Sequence, residues 1–211
     1  MKYLKRYLLI GFLLIIYILF YSISYANNTA LDLSNSLFRL HVIANSNSVQ
    51  DQNLKYIVRD DLIHYMNSLC KNASSKQEAI DIAYNHLDDF TSIAQKTIHE
   101  NGYNYDVNIS IGNYPFPTKT YGDINLPAGY YDALKVEIGK AKGQNWWCVM
   151  FPSLCFVDIS NGILPDESKK ELQSSLSEEN FNLISSENTE YKLKFKLIEL
   201  FENTKILTAK K

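Results

Sequence analysis

Cys148 is the residue of this 211-residue chain that could act as a nucleophile, and it sits in the densest stretch, Gly143-Gln144-Asn145-Trp146-Trp147-Cys148, with Pro152 and Cys155 downstream. A thiol nucleophile needs a base and an orienting acid, and His41 with Asp60 or Asp158 could supply them. It also needs an electropositive pocket, which spacing alone does not show. The same cysteine could instead close a short disulfide with Cys155, Pro152 turning the chain between them, or both could be buried thiols. Cys70, near the end of a predicted helix, reads as buried and inert. His86 and His99 fall on one predicted helix but thirteen positions apart, about 140° out of register at ~100° per residue, so they cannot clamp one ion. His41 and His64 stand alone, and the sequence has no His-x3-His or Cys-x2-Cys pair. Asp60-Asp61 and Asp88-Asp89 are paired acids, but adjacent helical residues point apart. Glycine patterns for phosphate or dinucleotide binding are absent. No metal and no cofactor is expected.

The elements that must position these residues follow from periodicity. Leu37 to Ala44 alternates, with Phe38, Leu40, Val42 and Ala44 on one face and Arg39 and His41 on the other, as in a half-buried strand. Asn45-Ser46-Asn47-Ser48 ends it, and Ser48 with Asp51 opens a helix. Leu54, Ile57, Val58, Leu62, Tyr65, Met66 and Leu69 carry that helix to about Cys70. Ser75 and Glu78 start a second one, which keeps its period to about Glu100 and stops at Gly102. A short link makes the two an antiparallel hairpin. Beyond Gly102 the period becomes two. Strands are expected near 105–111, 131–138 and 146–151, the last two as a hairpin around Lys140-Ala141-Lys142-Gly143. Residues 113–129 hold Pro115, Pro117, Gly122, Pro127 and Gly129 and read as a long functional connection. Residues 166–179 have weak helical character. Tyr191, Leu193, Phe195 and Leu197 alternate with lysines as a last strand over 190–198, and 201–211 forms a tail. The result is an α+β fold: a helical hairpin packed on a mixed, mainly antiparallel sheet in two layers, one domain over 37–200.

Residues 1–26 form a leader. Lys2, Lys5 and Arg6 precede an uncharged run from Leu8 to Ile23, and Ser24-Tyr25-Ala26 offers the small residues at which signal peptides are cut. The run also suits an uncleaved membrane anchor over 8–23, and both readings stand. Residues 27–36 are polar and read as a flexible lead-in. Loss of the leader lowers the 21 basic residues to 18 against 23 acidic ones, a net charge of −5. That balance excludes ordinary duplex binding, which needs a basic face. Membrane contact is expected only through an uncleaved leader. What remains unexplained by solvation is Arg39 and His41 on the outer face of the first strand, Arg59 and Asp60 near the outer face of the first helix, and an aromatic, proline-stiffened loop from Tyr121 to Tyr131, whereas the two tryptophans read first as structural. Arg and aromatic anchors of this kind suit a protein-binding surface. An ion pair between Arg39 and Asp60 is the plainer alternative for those two.

The sequence from Arg39-Leu40-His41-Val42-Ile43-Ala44-Asn45-Ser46 through Asp51-Gln52, Lys55 and Val58-Arg59-Asp60 to Leu126-Pro127-Ala128-Gly129-Tyr130-Tyr131-Asp132-Ala133-Leu134, with Gly139 and Gly143 to Asp158, resembles the stage II sporulation protein R family. The likeness covers about Leu37 to Asp158 and is loose after Asn161. The resemblance implies a signalling protein of endospore-forming bacteria, exported from the forespore into the space between the forespore and mother-cell membranes. Its implied partner is the membrane-embedded aspartic protease of the stage II sporulation protein GA family, which removes the pro-sequence of sigma-E. It implies no catalytic residues and no enzyme; the matching motifs together with surface logic make Arg39, His41, Arg59, Asp60, Tyr130, Tyr131, Trp146 and Trp147 the candidates for contact with that receptor. The reading from another class is an exported cysteine-dependent hydrolase of wall or peptide centred on Cys148.

Overall fold

The computed structural model describes residues 2–154, 166–185 and 189–209. Along the chain these form α1 (Lys2–Ser36), β1 (Phe38–Ile43), α2 (Val49–Leu69), α3 (Lys76–Asn85), α4 (Leu87–Glu100), β2 (Val107–Phe116), β3 (Lys119–Tyr121), β4 (Ile124–Leu126), β5 (Gly129–Ile138), β6 (Asn145–Phe151), α5 (Asp166–Ser175), α6 (Glu178–Ser185) and α7 (Thr189–Ala209). The fold is α+β, with a four-stranded sheet ordered β2-β5-β1-β6 and a separate two-stranded ribbon, β3-β4. The sheet is mixed: β1 runs parallel to β5 and antiparallel to β6, and β2 is antiparallel to β5.

One face of the sheet presents Phe38, Leu40, Val42, Leu134 and Val136, all fully buried against Leu54, Val58, Leu62 and Met66 of α2 and Phe90, Ala94 and Ile98 of α4. The helical layer is held at its ends by side chains. Ser48 Oγ accepts from the backbone N–H of Asp51, and Ser75 Oγ accepts from that of Glu78. Thr97 of α4 donates to Asp61 of α2 at 2.5 Å, and Tyr65 donates to Asp89 at 2.9 Å, which fixes the antiparallel hairpin. The expected second helix is two, broken at His86, whose backbone (φ −113°, ψ 20°) leaves the α region. Gly102, at φ +83°, ends α4 in the left-handed conformation that glycine tolerates.

The other face gains cover that the two-layer expectation lacks. The β3-β4 ribbon and α7 lie over part of it. The stretch 113–129, read as a connection without regular structure, is instead mostly strand: β2 runs on through Pro115, and the ribbon turns at Gly122 (φ +60°). Pro115 is tolerated because β2 is an edge strand. The expected hairpin of β5 with β6 does not form, since β1 inserts between them. The linking residues cross the end of β1 instead, with Gly143 N–H on Ala44 O at 2.8 Å and Lys142 N–H on Asn45 O at 3.2 Å.

Residues 190–198, expected as a strand, belong to α7. Phe195 and Ile198, three apart, are buried with Ala26 and Leu183, which is a helical spacing and leaves no strand face. Residues 27–36, expected as a flexible lead-in, continue α1, with Leu33 and Ala26 buried and Thr29 only 5% exposed. The first part of α1 is different: from Tyr3 to Tyr21 its large apolar side chains stand exposed. It is long and apolar enough to cross a membrane.

Candidate functional site

The motif residues divide into a structural junction and a cleft. The junction ties together the end of β1, the start of α2 and the β5-to-β6 crossover. Asn45 Nδ2 and Ser46 Oγ both donate to Asp51 Oδ2, at 2.8 and 2.5 Å, while Asn45 Oδ1 accepts from Lys140 N–H at 3.0 Å. Burial pushes the Asp51 carboxyl up, but these hydrogen bonds outweigh it and hold the group below its ordinary value. Lys55, fully buried, donates to Gln52 Oε1 and to the carbonyl of Gln144. Desolvation, helped by nearby Arg59, pushes its amine down to about 8. A Cβ on Gly143 would lie 2.2 Å from Ser46 O, so only glycine fits there. These residues build the fold.

On the helix-covered face, Trp146 lies under the Arg59 guanidinium, 4.2 Å from its ring centroid, with Tyr56 edge-on. Arg59 is itself 6% exposed and bonds Asp60 Oδ1 through Nε and Nη2, at 2.7 and 2.6 Å. Asp60 therefore pairs with Arg59, not with Arg39.

The opposite face carries Arg39, His41, Tyr131 and Trp147. Alternation placed Arg39 and His41 on this face correctly, but they are not exposed. Arg39 is completely buried, because the β3-β4 ribbon closes over it. Its guanidinium lies in the corner that Phe116 and Tyr131 make with each other, 4.1 and 4.7 Å from their centroids, and donates to Tyr121 Oη at 2.8 Å; the two rings meet edge to face, 5.8 Å apart at 74°. Tyr121 in turn donates to the carbonyl of Trp147 at 3.0 Å. Desolvation raises the Tyr131 phenol to about 12, so it stays neutral.

Beside this stack a cleft of about 510 Å³ opens. His41 and Trp147 form its floor, stacked at 3.6 Å with 17° between their planes. Tyr114, Pro115, Phe116 and Pro117 make one wall, and Asn203 and Ile206 of α7 another. His41 Nε2 pairs with Asn145 Oδ1 at 2.8 Å, and burial pushes the imidazole down to about 4, so the ring is neutral near pH 7. Lys135 supplies the cleft's cation and is paired with Glu137 at 2.7 Å. Aromatic and prolyl walls with a few polar groups are the usual lining of a ligand-sized cleft.

The eight sequence candidates are therefore not one surface. Trp146 and Trp147, adjacent in β6, point to opposite faces. Tyr130 is elsewhere again, lining a groove between α1 and α7. Sequence reasoning named Tyr121 only as the start of the aromatic loop 121–131 and missed Phe116, which lies before it. It had no means of finding Asn203 and Ile206. The thiol constellation does not assemble: β1–β6 register sets His41 opposite Trp147 and Leu40 opposite Cys148, so Cys148 points to the face away from His41. Cys148 is disulfide-bonded, Cys70 is a free thiol, and Cys155 and Asp158 lie outside the described residues. Among the described residues no cluster of His, Cys, Asp and Glu is arranged to hold a metal ion.

The family profile described as stage II sporulation protein R (spore_II_R) matches residues 34–161. The chain is 35% identical over 154 residues to stage II sporulation protein R of Bacillus subtilis (strain 168), an alignment covering 72% of this chain and 69% of that one. No solved structure matches.

Proposed function

Because this chain belongs to the stage II sporulation protein R family, we propose that it is an exported signal of endospore formation. In this reading it acts in the space between the forespore and mother-cell membranes. There it activates the membrane-embedded aspartic protease of the stage II sporulation protein GA family, which processes pro-sigma-E. The observation that carries the reading is the family match over 34–161, which takes in the whole sheet and the α2–α4 layer. Two features are in keeping with it. The apolar half of α1 suits export or anchoring, and the cleft beside Trp147 is wide enough to take a partner's side chain, with no cysteine or serine in its lining.

Activation of this kind is a population shift. The chain must bind the active arrangement of the protease better than the inactive one, since equal affinity for both shifts nothing. The cleft around Trp147 is the contact assigned to the receptor, with Asp60, Tyr130 and Trp146 as further exposed or half-exposed candidates. Arg39 and Tyr131 act from beneath, by holding Phe116 and Trp147 in place.

The test is reconstitution in a non-sporulating host that makes the protease and pro-sigma-E, with and without this chain exported. Shortened sigma-E that depends on the exported chain supports the proposal, and its persistence in Cys148→Ser separates it from thiol chemistry. No processing, with the chain folded and outside, removes it.

A further inference from the structure

Helix α7 is apolar on two opposite sides, and the described residues cover one of them. Phe195 and Ile198 face inward, 9% and 0% exposed, and Glu202 is buried one turn on. On the far side stand Leu193, Leu200 and Leu207, each about two-thirds exposed at 68%, 64% and 67%. Leu197 and Thr204 lie between them, so the outward residues follow the alternating four-and-three spacing of a coiled-coil seam. Single exposed leucines are ordinary. A leucine at each of three positions seven apart, spanning two heptads, is the pattern that takes another helix.

We propose that α7 pairs in parallel with α7 of a second copy of this chain, through Leu193, Leu197, Leu200, Thr204 and Leu207. Three observations select that occupant. First, leucine fills all three positions equivalent to d of the heptad, the arrangement found in parallel two-stranded coils. Second, the flanking charges are neutralised within the chain: Lys194 pairs with Glu179 and Lys196 with Glu199. Phe201, Asn203 and Thr208 complete the flanks, so a like copy meets no repulsion and no unspent charge selects a different partner. Third, α7 runs in the same sense as α1. Lys194 lies over Tyr25, Phe195 and Phe201 share one cluster with Ala26 and Ala30, and Lys205 lines a groove with Ser34. Two copies entering one membrane through α1 then present their α7 seams side by side and parallel, at raised effective concentration. The seam lies beyond residue 161, outside the family match, and the inference does not depend on the proposed activity.

The test uses the full chain in phosphatidylglycerol and phosphatidylethanolamine vesicles, with oxidative crosslinking read on non-reducing gels. Leu200→Cys is expected to give a covalent dimer well above the levels of wild type, which carries the Cys70 thiol, and of Lys96→Cys, exposed on α4. Leu193→Cys should crosslink to itself and not to Leu207→Cys in a mixed sample. In detergent, Leu193→Glu with Leu200→Glu should weaken self-association at least about 100-fold while the helical circular dichroism is unchanged. Crosslinking of Leu200→Cys at the Lys96→Cys level overturns the proposal. So does a Leu193-to-Leu207 crosslink, which means antiparallel pairing, or a dimer that survives the glutamates. Quenching of a probe at position 200 by lipid-confined nitroxides, without crosslinking, means a stripe laid on lipid and overturns it equally.

Discussion

Replacing Arg39 with alanine should destabilise the domain by about 2–4 kcal/mol, and replacing it with methionine should cost less than about 1 kcal/mol. The difference comes from what the guanidinium does. Its two ring faces contribute on the order of 1 kcal/mol each, the charged hydrogen bond to Tyr121 about 1.5–3, and the stem methylenes about 0.8 each. Against this stands a fully buried cation that makes no ion pair among the described residues, with Nη1 unpartnered. Desolvation of such a charge costs several kcal/mol. Alanine loses the packing and leaves a cavity in the corner formed by Phe116 and Tyr131. Methionine keeps a long apolar stem against both rings and removes the buried charge. The assay is urea unfolding of the full chain in mild detergent, followed by tryptophan fluorescence, since Trp147 borders the stack. At about 1–3 kcal/mol per molar urea, the alanine midpoint should fall by roughly 1–3 M. An alanine variant within about 0.5 kcal/mol of wild type, or a methionine variant as damaged as alanine, refutes packing against the two rings as the reason for the arginine. The same pair should separate folding from signalling: if Arg39 only positions Trp147, the methionine variant keeps its activity.

Three further outcomes follow from the same structure. His41 is held near pKa 4 by burial, against about 6.5 unfolded, so between these values the unfolded chain binds more protons. Stability should therefore be complete above about pH 6.5 and fall by up to roughly 3 kcal/mol as pH drops to 4. His41→Phe should remove that component of the pH profile, and an unchanged profile contradicts it. Lys55, held near 8, behaves as a second buried base, so stability should rise as pH goes from about 8 toward 10.4. Lys55→Met should abolish the rise. Gly143→Ala should cost at least about 2 kcal/mol, because its Cβ meets the Ser46 carbonyl and Ala44, whereas Gly11→Ala meets nothing and should be silent.

Much of the helical layer was legible because its signals are local. Ser48, Ser75 and Gly102 mark ends with groups that act within one turn. What escaped was set by distant chain. Alternation gave Arg39 and His41 the right face, but their burial depends on Tyr121 and on α7, 80 to 165 residues away, and no local pattern carries that. The β5–β6 hairpin was misread for the same reason, since β1 arrives from almost 100 residues upstream to take the place between them. The reading of α7 as a strand has a different cause. Leu193, Phe195 and Leu197 alternate because the helix is apolar on two opposite sides, and over four positions that is indistinguishable from a period of two. The junction residues Asn45, Ser46, Asp51 and Gly143 stood out in the motifs, yet only geometry shows that they build the crossover and stand apart from the cleft beside Trp147.

The claim that this chain works as a ligand and not as a catalyst is tested most directly by titration. Purified chain would be added to the protease and pro-sigma-E in vesicles, and the amount of shortened sigma-E read against the molar ratio. A ligand that holds the protease in its active arrangement gives processing that saturates at a fixed stoichiometric ratio and weakens when Trp147→Ala opens the cleft. Full activation by a small fraction of an equivalent, or activation indifferent to Trp147, would contradict the account.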